Sequence, residues 1–224
     1  MRSRLDAVGT TVVVLAAIVV AGANVYRALA SDSRNTVAAA EPVTFVRDWR
    51  DLTKHGIWEG DSTAAVTVVD FSDLQCPFCR RFHQALTEVQ TEFGSRIARV
   101  VIHYPLTNHA FALSAAIAAE CADKSARFHE FIDRVFAKQD SIGSKSWASY
   151  AVEAGIGDTL SFSSCASSTE IPGRVEQGLG AGSKVGVRGT PTVIINGWRF
   201  ARPPHDSLRQ VVARILAGER PFQE

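Results

Sequence analysis

The sequence has no excess of charge of either sign. Lys and Arg total 24 against 23 Asp and Glu, a net charge of +1. No stretch strings the cations into a basic stripe, and this excludes the electrostatic footprint of a nucleic-acid binder. Internal repeats are absent as well. Histidine and cysteine are sparse, 6 and 4 residues. His103, His109 and His129 have no second ligand at metal spacing and read as core-edge residues of strands and helices. What remains is ordinary globular composition, 46% hydrophobic and 21% charged, enough to build one good-sized core.

One region lacks charge altogether. From Ala7 to Val25 the chain runs through Val, Ala and Ile for about 18 residues, about 27 Å as a helix, which just spans a bilayer. Arg2 and Arg4 precede it, so the positive-inside rule keeps the N-terminus in the cytoplasm and sends the rest outside. Two readings share that outcome. Either residues 1–30 are an uncleaved transmembrane anchor, or they are a secretory signal cleaved near the small residues Ala28 to Ala30. The first gives a single-pass cell-membrane protein with its domain on the extracytoplasmic side, the second a secreted or periplasmic one. Residues 31–43 read as a linker and 44–224 as the folded domain. Export places Cys76, Cys79, Cys121 and Cys165, an even set, where disulfides persist. Cys121 and Cys165 therefore read as a structural disulfide, the alternative being two buried free thiols.

Within the domain, Thr44 to Asp61 mixes aromatics with charges and shows no period. It reads only as a lead-in covering an edge of the core. Ala65 to Phe71, "AVTVVDF", is a β-branched run too apolar to have a wet face, which predicts a central strand with helices on both sides. Phe78, Phe82, Leu86, Val89 and Phe93 then recur at helical spacing, closed by Gly94. Ile97 to Tyr104 is a second strand stopped by Pro105. Strand, helix, strand makes the strands parallel with a right-handed crossover. From about 109 to 185 the pattern is helical, far more chain than one crossover helix needs, and it reads as a helical subdomain. Thr190 to Phe200 is a hairpin about an Asn-Gly turn of type I′. Leu208, Val211, Val212 and Ile215 mark a last helix ending at Gly218.

The chemistry concentrates in "FSDLQCPFC". Cys76 falls where the strand ends, with Pro77 at the first helical position, where a missing N–H costs nothing. The unpaired amides and the dipole of the helix stabilise a thiolate there, so Cys76 reads as the exposed, reactive sulfur and Cys79, one turn further in, as its covered partner. A lone C-x-x-C serves redox chemistry or metal binding equally, and "CPFCRRFH" adds a histidine at a ligand-like spacing. Cys121 and Cys165 are far away, however, and His83 reads as a solvated residue on the helix flank. "GVRGTPTVIING" is the second signal. Proline at the start of a buried strand removes a ladder donor, and a cis Thr190 to Pro191 bond would turn the Thr190 backbone outward beside Cys76 to meet an extended peptide.

"FSDLQCPFC" after a strand, "GTPT" before the hairpin, and a helical block between the sheet halves together resemble the DsbA-like branch of the thioredoxin superfamily, over roughly Gly60 to Gly218. The resemblance implies an α/β thioredoxin fold, βαβ and ββα halves on a mixed sheet with an inserted helical subdomain. It implies a thiol:disulfide oxidoreductase with Cys76 as nucleophile, Cys79 as buried partner, and Thr190 with Pro191 as substrate clamp. No cofactor or metal beyond the redox-active disulfide is expected. The expected partners are cysteine-containing exported proteins and a membrane redox partner, a quinone-linked oxidase for an oxidase or a reductant for a reductase or isomerase. Outside that chemistry stand a non-catalytic binding module and a metal carrier. Pro77-Phe78 departs from the family's founding oxidants, which place a histidine between the cysteines, so nothing here adds positive charge at that point. Asp70 interrupts the apolar strand, where a bare carboxylate costs several kcal/mol. The family carries an acid at this place. Asp70 reads either as a proton acceptor for Cys79 or as a strand-end residue bonded to nearby amides, and Asp73 as a turn residue.

Overall fold

The unbroken apolar run after Ala65 forms a strand buried along its whole length in the computed structural model, which describes residues 21–22, 42–201 and 203–221. The apolar run of residues 7–25 and the linker fall almost entirely outside the described residues. Among the described residues no helix is long and apolar enough to cross a membrane.

Six strands form one sheet: β1 (Thr44–Phe45), β2 (Ile57–Glu59), β3 (Val66–Ser72), β4 (Ile97–His103), β5 (Thr192–Ile195) and β6 (Trp198–Phe200), in the spatial order β1-β6-β5-β3-β4-β2. Only β3 and β4 pair in parallel, Val66 opposite Ile97 through Ser72 opposite His103; the other pairs are antiparallel. Helices α1 (Trp49–Leu52), α2 (Pro77–Phe93), α3 (Ala112–Lys124), α4 (Phe128–Ala137), α5 (Trp147–Glu153), α6 (Thr159–Ala166), α7 (Gly173–Lys184) and α8 (Leu208–Leu216) complete the domain. The fold is the thioredoxin-like mixed α/β arrangement, a βαβ half and a ββα half separated by helices.

The two faces of β3 sort by alternation. Val66 and Val68 pack with Phe82 and Leu86 of α2 and with Leu208 and Val212 of α8. Val69 and Phe71 pack on the other face with Ala181 of α7 and with Trp49 and Leu52 of α1. Phe82 and Leu86 are fully buried, each contributing about 1.5–3 kcal/mol by leaving water. Gly94 closes α2 at φ 59°. Asn196 and Gly197, at φ 45° and 94°, make the hairpin turn, a pair of positive φ angles that type I′ requires.

Two expectations need correction. The lead-in does more than cover an edge, since β1 and β2 are the two edge strands of the sheet; strands of two and three residues are too short to show alternation. The helical block of 109–185 is also not one subdomain. Helices α3 to α6 pack around Phe131, Ile132, Phe136 and Tyr150 in a cluster that continues to Cys76 and Cys79 at the start of α2 and to Ile57 and Val101 of the sheet, whereas α7 covers the other face of the sheet. A Cβ at Gly178 would stand 2.8 Å from the His103 carbonyl oxygen, and one at Gly182 would stand 2.5 Å from the Tyr104 ring. These two glycines, one turn apart, allow α7 to lie directly on β4.

Candidate active site

β3 ends in a turn that delivers Cys76 to the N-cap of α2, in extended conformation with Pro77 next in line. The turn is tied down by Asp73, whose Oδ1 accepts from the Gln75 amide at 2.8 Å and whose Oδ2 accepts from the Leu106 amide at 3.0 Å and faces His109 Nδ1 at 2.8 Å. Asp73 is thus a turn residue, and a buried one that binds two loops together. Gln139, 7% exposed, reaches in from the helical insertion and donates to the carbonyls of Leu74 and Cys76 at 2.8 and 2.9 Å. Nothing in the sequence around Gln139 announces this clamp.

Both cysteines are free thiols. The sulfur of Cys76 lies 3.2 Å from the Thr190 carbonyl oxygen, and the peptide bond from Thr190 to Pro191 is cis. Cys76 is only 2% exposed, so it is not the open sulfur that a helix terminus suggests: the turn carrying Thr190 closes over it. Cys79, at 1%, is buried as expected, and its sulfur accepts from the Asp73 amide at 3.4 Å. Phe78 between them is 54% exposed, with the Arg81 guanidinium 4.9 Å from its ring centre.

The two thiols are driven apart. Cys76 is brought down to about 6, first by the Cys79 thiol donating to it, then, against the opposing effect of burial, by the Thr190 side chain and the amides of Cys79 and Phe78 at the helix end. Thr190 Oγ1 itself has no hydrogen-bond partner among the described residues. Cys79 is pushed well up, chiefly by burial, then by its bond to Cys76 and by the negative charge of Asp70.

Asp70 is fully buried on the α2 face of β3, and burial pushes its carboxyl up while Arg99 opposes the shift. Its partner is a guanidinium rather than the amides the sequence suggested. Arg99 Nε and Nη2 donate to Asp70 Oδ2 at 3.2 and 2.5 Å, while Asp70 Oδ1 has no hydrogen-bond partner among the described residues. Arg99, 1% exposed on β4, is the central residue that sequence reading missed. Its charge sits in the middle of "IARVVIH", and the parallel register that sets β4 beside β3 was the available signal. His83 also needs correction: it is 6% exposed, not solvated. Asp133 holds its Nε2 at 2.8 Å and Arg99 faces its Nδ1 at 2.8 Å. Both ring nitrogens are engaged away from the cysteine pair, which removes His83 as a third ligand there. Among the described residues no group of three or more His, Cys, Asp or Glu is placed to hold a metal ion.

Cys121 of α3 and Cys165 of α6 are joined by a disulfide across a separation of 44 residues. His103 is buried as an edge residue of β4, brought down to about 3 by burial and by Arg174; His109 is partly buried and His129 half-exposed.

A family model described as thioredoxin matches residues 52–213. Among solved structures the chain is similar to a thioredoxin-like oxidoreductase from Silicibacter pomeroyi, at TM-score 0.63 and 21% identity over 77% of this chain and 98% of that one. The catalytic domain of Proteus mirabilis ScsC matches at TM-score 0.63 and 19% identity, over 76% and 96%. Wolbachia pipientis α-DsbA1 matches at TM-score 0.60 and 17% identity, over 72% and 90%. At these identities the likeness is one of fold. Among curated sequences the chain is 32% identical over 163 residues to a protein named Na(+)/H(+) antiporter NhaA 3 from Salinispora tropica, covering 72% of this chain and 25% of that one. The chain thus spans about a quarter of the length of the curated relatives it matches, and the antiporter name belongs to those longer proteins.

Proposed function

Because the chain belongs to the thioredoxin family, we propose that it is an exported thiol:disulfide oxidoreductase of the DsbA-like branch that acts as a dithiol oxidase on cysteine-containing exported proteins. The observation that carries this reading is the opposite displacement of the two thiols, Cys76 down to about 6 and Cys79 up. A thiolate stabilised at Cys76 is a good leaving group and stabilises the reduced form of the pair, which makes the disulfide the stronger oxidant.

In the forward reaction a substrate thiolate attacks the Cys76 sulfur of the oxidised pair, the Cys76–Cys79 bond breaks, and Cys79 leaves with the electron pair and takes up a proton. A second substrate thiolate attacks the substrate sulfur of the mixed disulfide and expels Cys76 as thiolate. The substrate is oxidised by two electrons and the pair reduced by two. Escape of an unproductive mixed disulfide is the reverse of the first step: Cys79 loses its proton and attacks Cys76. The Asp70 carboxyl, raised by burial on the same side of β3, gives a proton to Cys79 in one direction and takes it in the other. Thr190 and Pro191 are the proposed substrate clamp. The reoxidant is a quinone-linked membrane oxidase, and the N-terminal run keeps the domain at the outer side of the membrane as an anchor, or directs its release as a signal.

The test is the reduction potential of the Cys76 and Cys79 pair, measured at equilibrium with glutathione. The oxidase reading expects a value above that of thioredoxin, about −270 mV, and toward the −120 mV of the strong oxidants. A value at or below that of thioredoxin would assign the chain to the reductase direction.

A further inference from the structure

Arg99 has more to hold than Asp70. Its Nη1 faces Glu59 Oε2 of β2 at 3.3 Å and His83 Nδ1 of α2 at 2.8 Å. A guanidinium carries donors only, so His83 Nδ1 must be the acceptor, and the ring proton of the neutral His83 stands on Nε2. That proton is aimed at Asp133 Oδ1 of α4, 2.8 Å away. Asp133 also faces His129 Nε2 at 3.5 Å, and His129 Nδ1 donates to Glu59 Oε1 at 2.6 Å. Arg99, His83, Asp133, His129 and Glu59 therefore close a ring drawn from four elements, and Asp70 is held by the Arg99 guanidinium beneath Cys79. The ring is buried at Arg99, His83 and Glu59 and opens to solvent at His129 and Asp133.

We infer that His83 is a positioning residue for the release step: by accepting from Arg99 Nη1 and donating to Asp133 it holds the guanidinium against Asp70 and keeps the carboxylate form of Asp70 available to Cys79. The inference rests on the proposed role of Asp70. Without the imidazole acceptor, Nη1 retains only Glu59, which draws the guanidinium toward β2 and away from Asp70. A less closely paired Asp70, in its dry site, then takes its proton at higher pH. The charged groups facing His83 are Arg99 of β4, Asp70 of β3, Glu59 of β2, and Asp133 and His129 of α4, while Cys79 stands one turn before it on α2. Phe136 packs on the ring with centroids 4.7 Å apart, so a phenyl ring in its place keeps the packing and removes the hydrogen bonds.

The experiment uses the full chain carrying a mixed disulfide between Cys76 and a small thiol, with release by Cys79 followed by stopped flow from about pH 5 to about pH 9, a range that brackets carboxyl and thiol titration. His83→Phe is expected to move the acidic limb of the profile up by about one pH unit, a tenfold loss of rate along that limb. His83→Asn, whose side-chain oxygen can accept from Arg99 near the place of Nδ1, is expected to return the limb toward the native position. The initial attack on Cys76 stays unchanged in both. A His83→Phe profile that overlays the native one, while Asp70→Asn abolishes the limb, overturns the positioning role and leaves Asp70 standing. An Asp70→Asn profile that keeps the limb overturns both. Should His83→Phe fail to fold, Asp133→Ala, which frees the Nε2 proton from its acceptor, must displace the limb in the same direction, and an unmoved limb there is equally fatal.

Discussion

Cys121 and Cys165 join two helices of the insertion, with Lys124 Nζ 3.6 Å from the Cys165 sulfur as their polar neighbour. Cys76 and Cys79 stand one turn apart on a single helix, with amides and a hydroxyl in front of one sulfur and a buried carboxylate, guanidinium and imidazole behind the other. The first bond closes 44 residues of chain, and its value lies in what it denies the unfolded state. The second pair spans almost no chain and contributes little by closure. Its surroundings are unequal, and the inequality gives one sulfur to attack and the other to the interior. Proximity brings two thiols together in both places; an asymmetric field is what separates a reactive pair from a staple.

The largest effect should fall where chemistry and cross-linking part. Cys76→Ser is expected to abolish oxidation of a reduced protein substrate while leaving the urea midpoint, taken at about pH 6 where the Cys76 thiolate contributes least, near the native value. The Cys121→Ala and Cys165→Ala double variant is expected to do the reverse, keeping turnover at low temperature and losing about 4 kcal/mol of stability, the chain-entropy value for a loop of this length. Turnover lost in the double variant while it remains folded would erase the distinction.

The carboxylate behind Cys79 is the next place to press. Had Asp70 been a buried proton acceptor without a charged partner, one of the two sequence readings, Asp70→Asn would leave stability unchanged or raised. Its pairing with Arg99 reverses that expectation: removal leaves a buried guanidinium with Glu59 as its remaining carboxylate. Breaking a buried pair costs about 3–5 kcal/mol, and Glu59 holds the loss nearer to about 2 kcal/mol. Release by Cys79 should slow while attack at Cys76 keeps its rate. A urea melt beside stopped-flow measurement of the two steps checks both, and an unaltered release rate would leave Asp70 a structural partner of Arg99 only.

What the sequence made legible was whatever depends on neighbours along the chain. The apolar period gave α2, the β-branched runs gave β3 and β4, and Pro77 after Cys76 marked the helix terminus at which the thiol is polarised. What it hid depends on register and packing between segments. Arg99 meets Asp70 only because β4 lies parallel to β3, one residue in the apolar run of each turning the same way. Gln139 reaches the active-site turn from another element altogether, and no local pattern distinguishes it from a surface glutamine. Cys76 looked open because a helix N-terminus is open by itself; the turn at Thr190, more than a hundred residues on, is what covers it. His83 looked solvated because its helix neighbours Arg80, Arg81 and Gln84 are polar, although its position one turn after Cys79 puts it on the buried face.

The effect most specific to the pair is a slope of stability with pH. In the reduced protein Cys76 titrates at about 6, against about 8.5 for a thiol in the unfolded chain. A folded pKa below the unfolded one favours the folded state when the group is ionised. The contribution is therefore fully present above about pH 8.5, declines as pH falls, and is gone below about pH 6. Cys79 acts in the opposite sense. Its folded pKa is raised by burial, so its contribution is full below about pH 8.5 and is lost as pH climbs beyond it. The difference in stability between the reduced native protein and its Cys76→Ser variant should accordingly rise from about pH 6 to about pH 8.5, as measured by urea melts under a reductant that spares the Cys121 to Cys165 bond. His129, raised by its bond to Glu59, contributes equally to both proteins and cancels in the difference. Bonded sulfurs do not titrate, so the staple adds no slope of its own. A flat difference across that window would mean that the amides of Phe78 and Cys79 and the Thr190 hydroxyl do not hold a thiolate at Cys76. The two cysteine pairs would then differ in position alone.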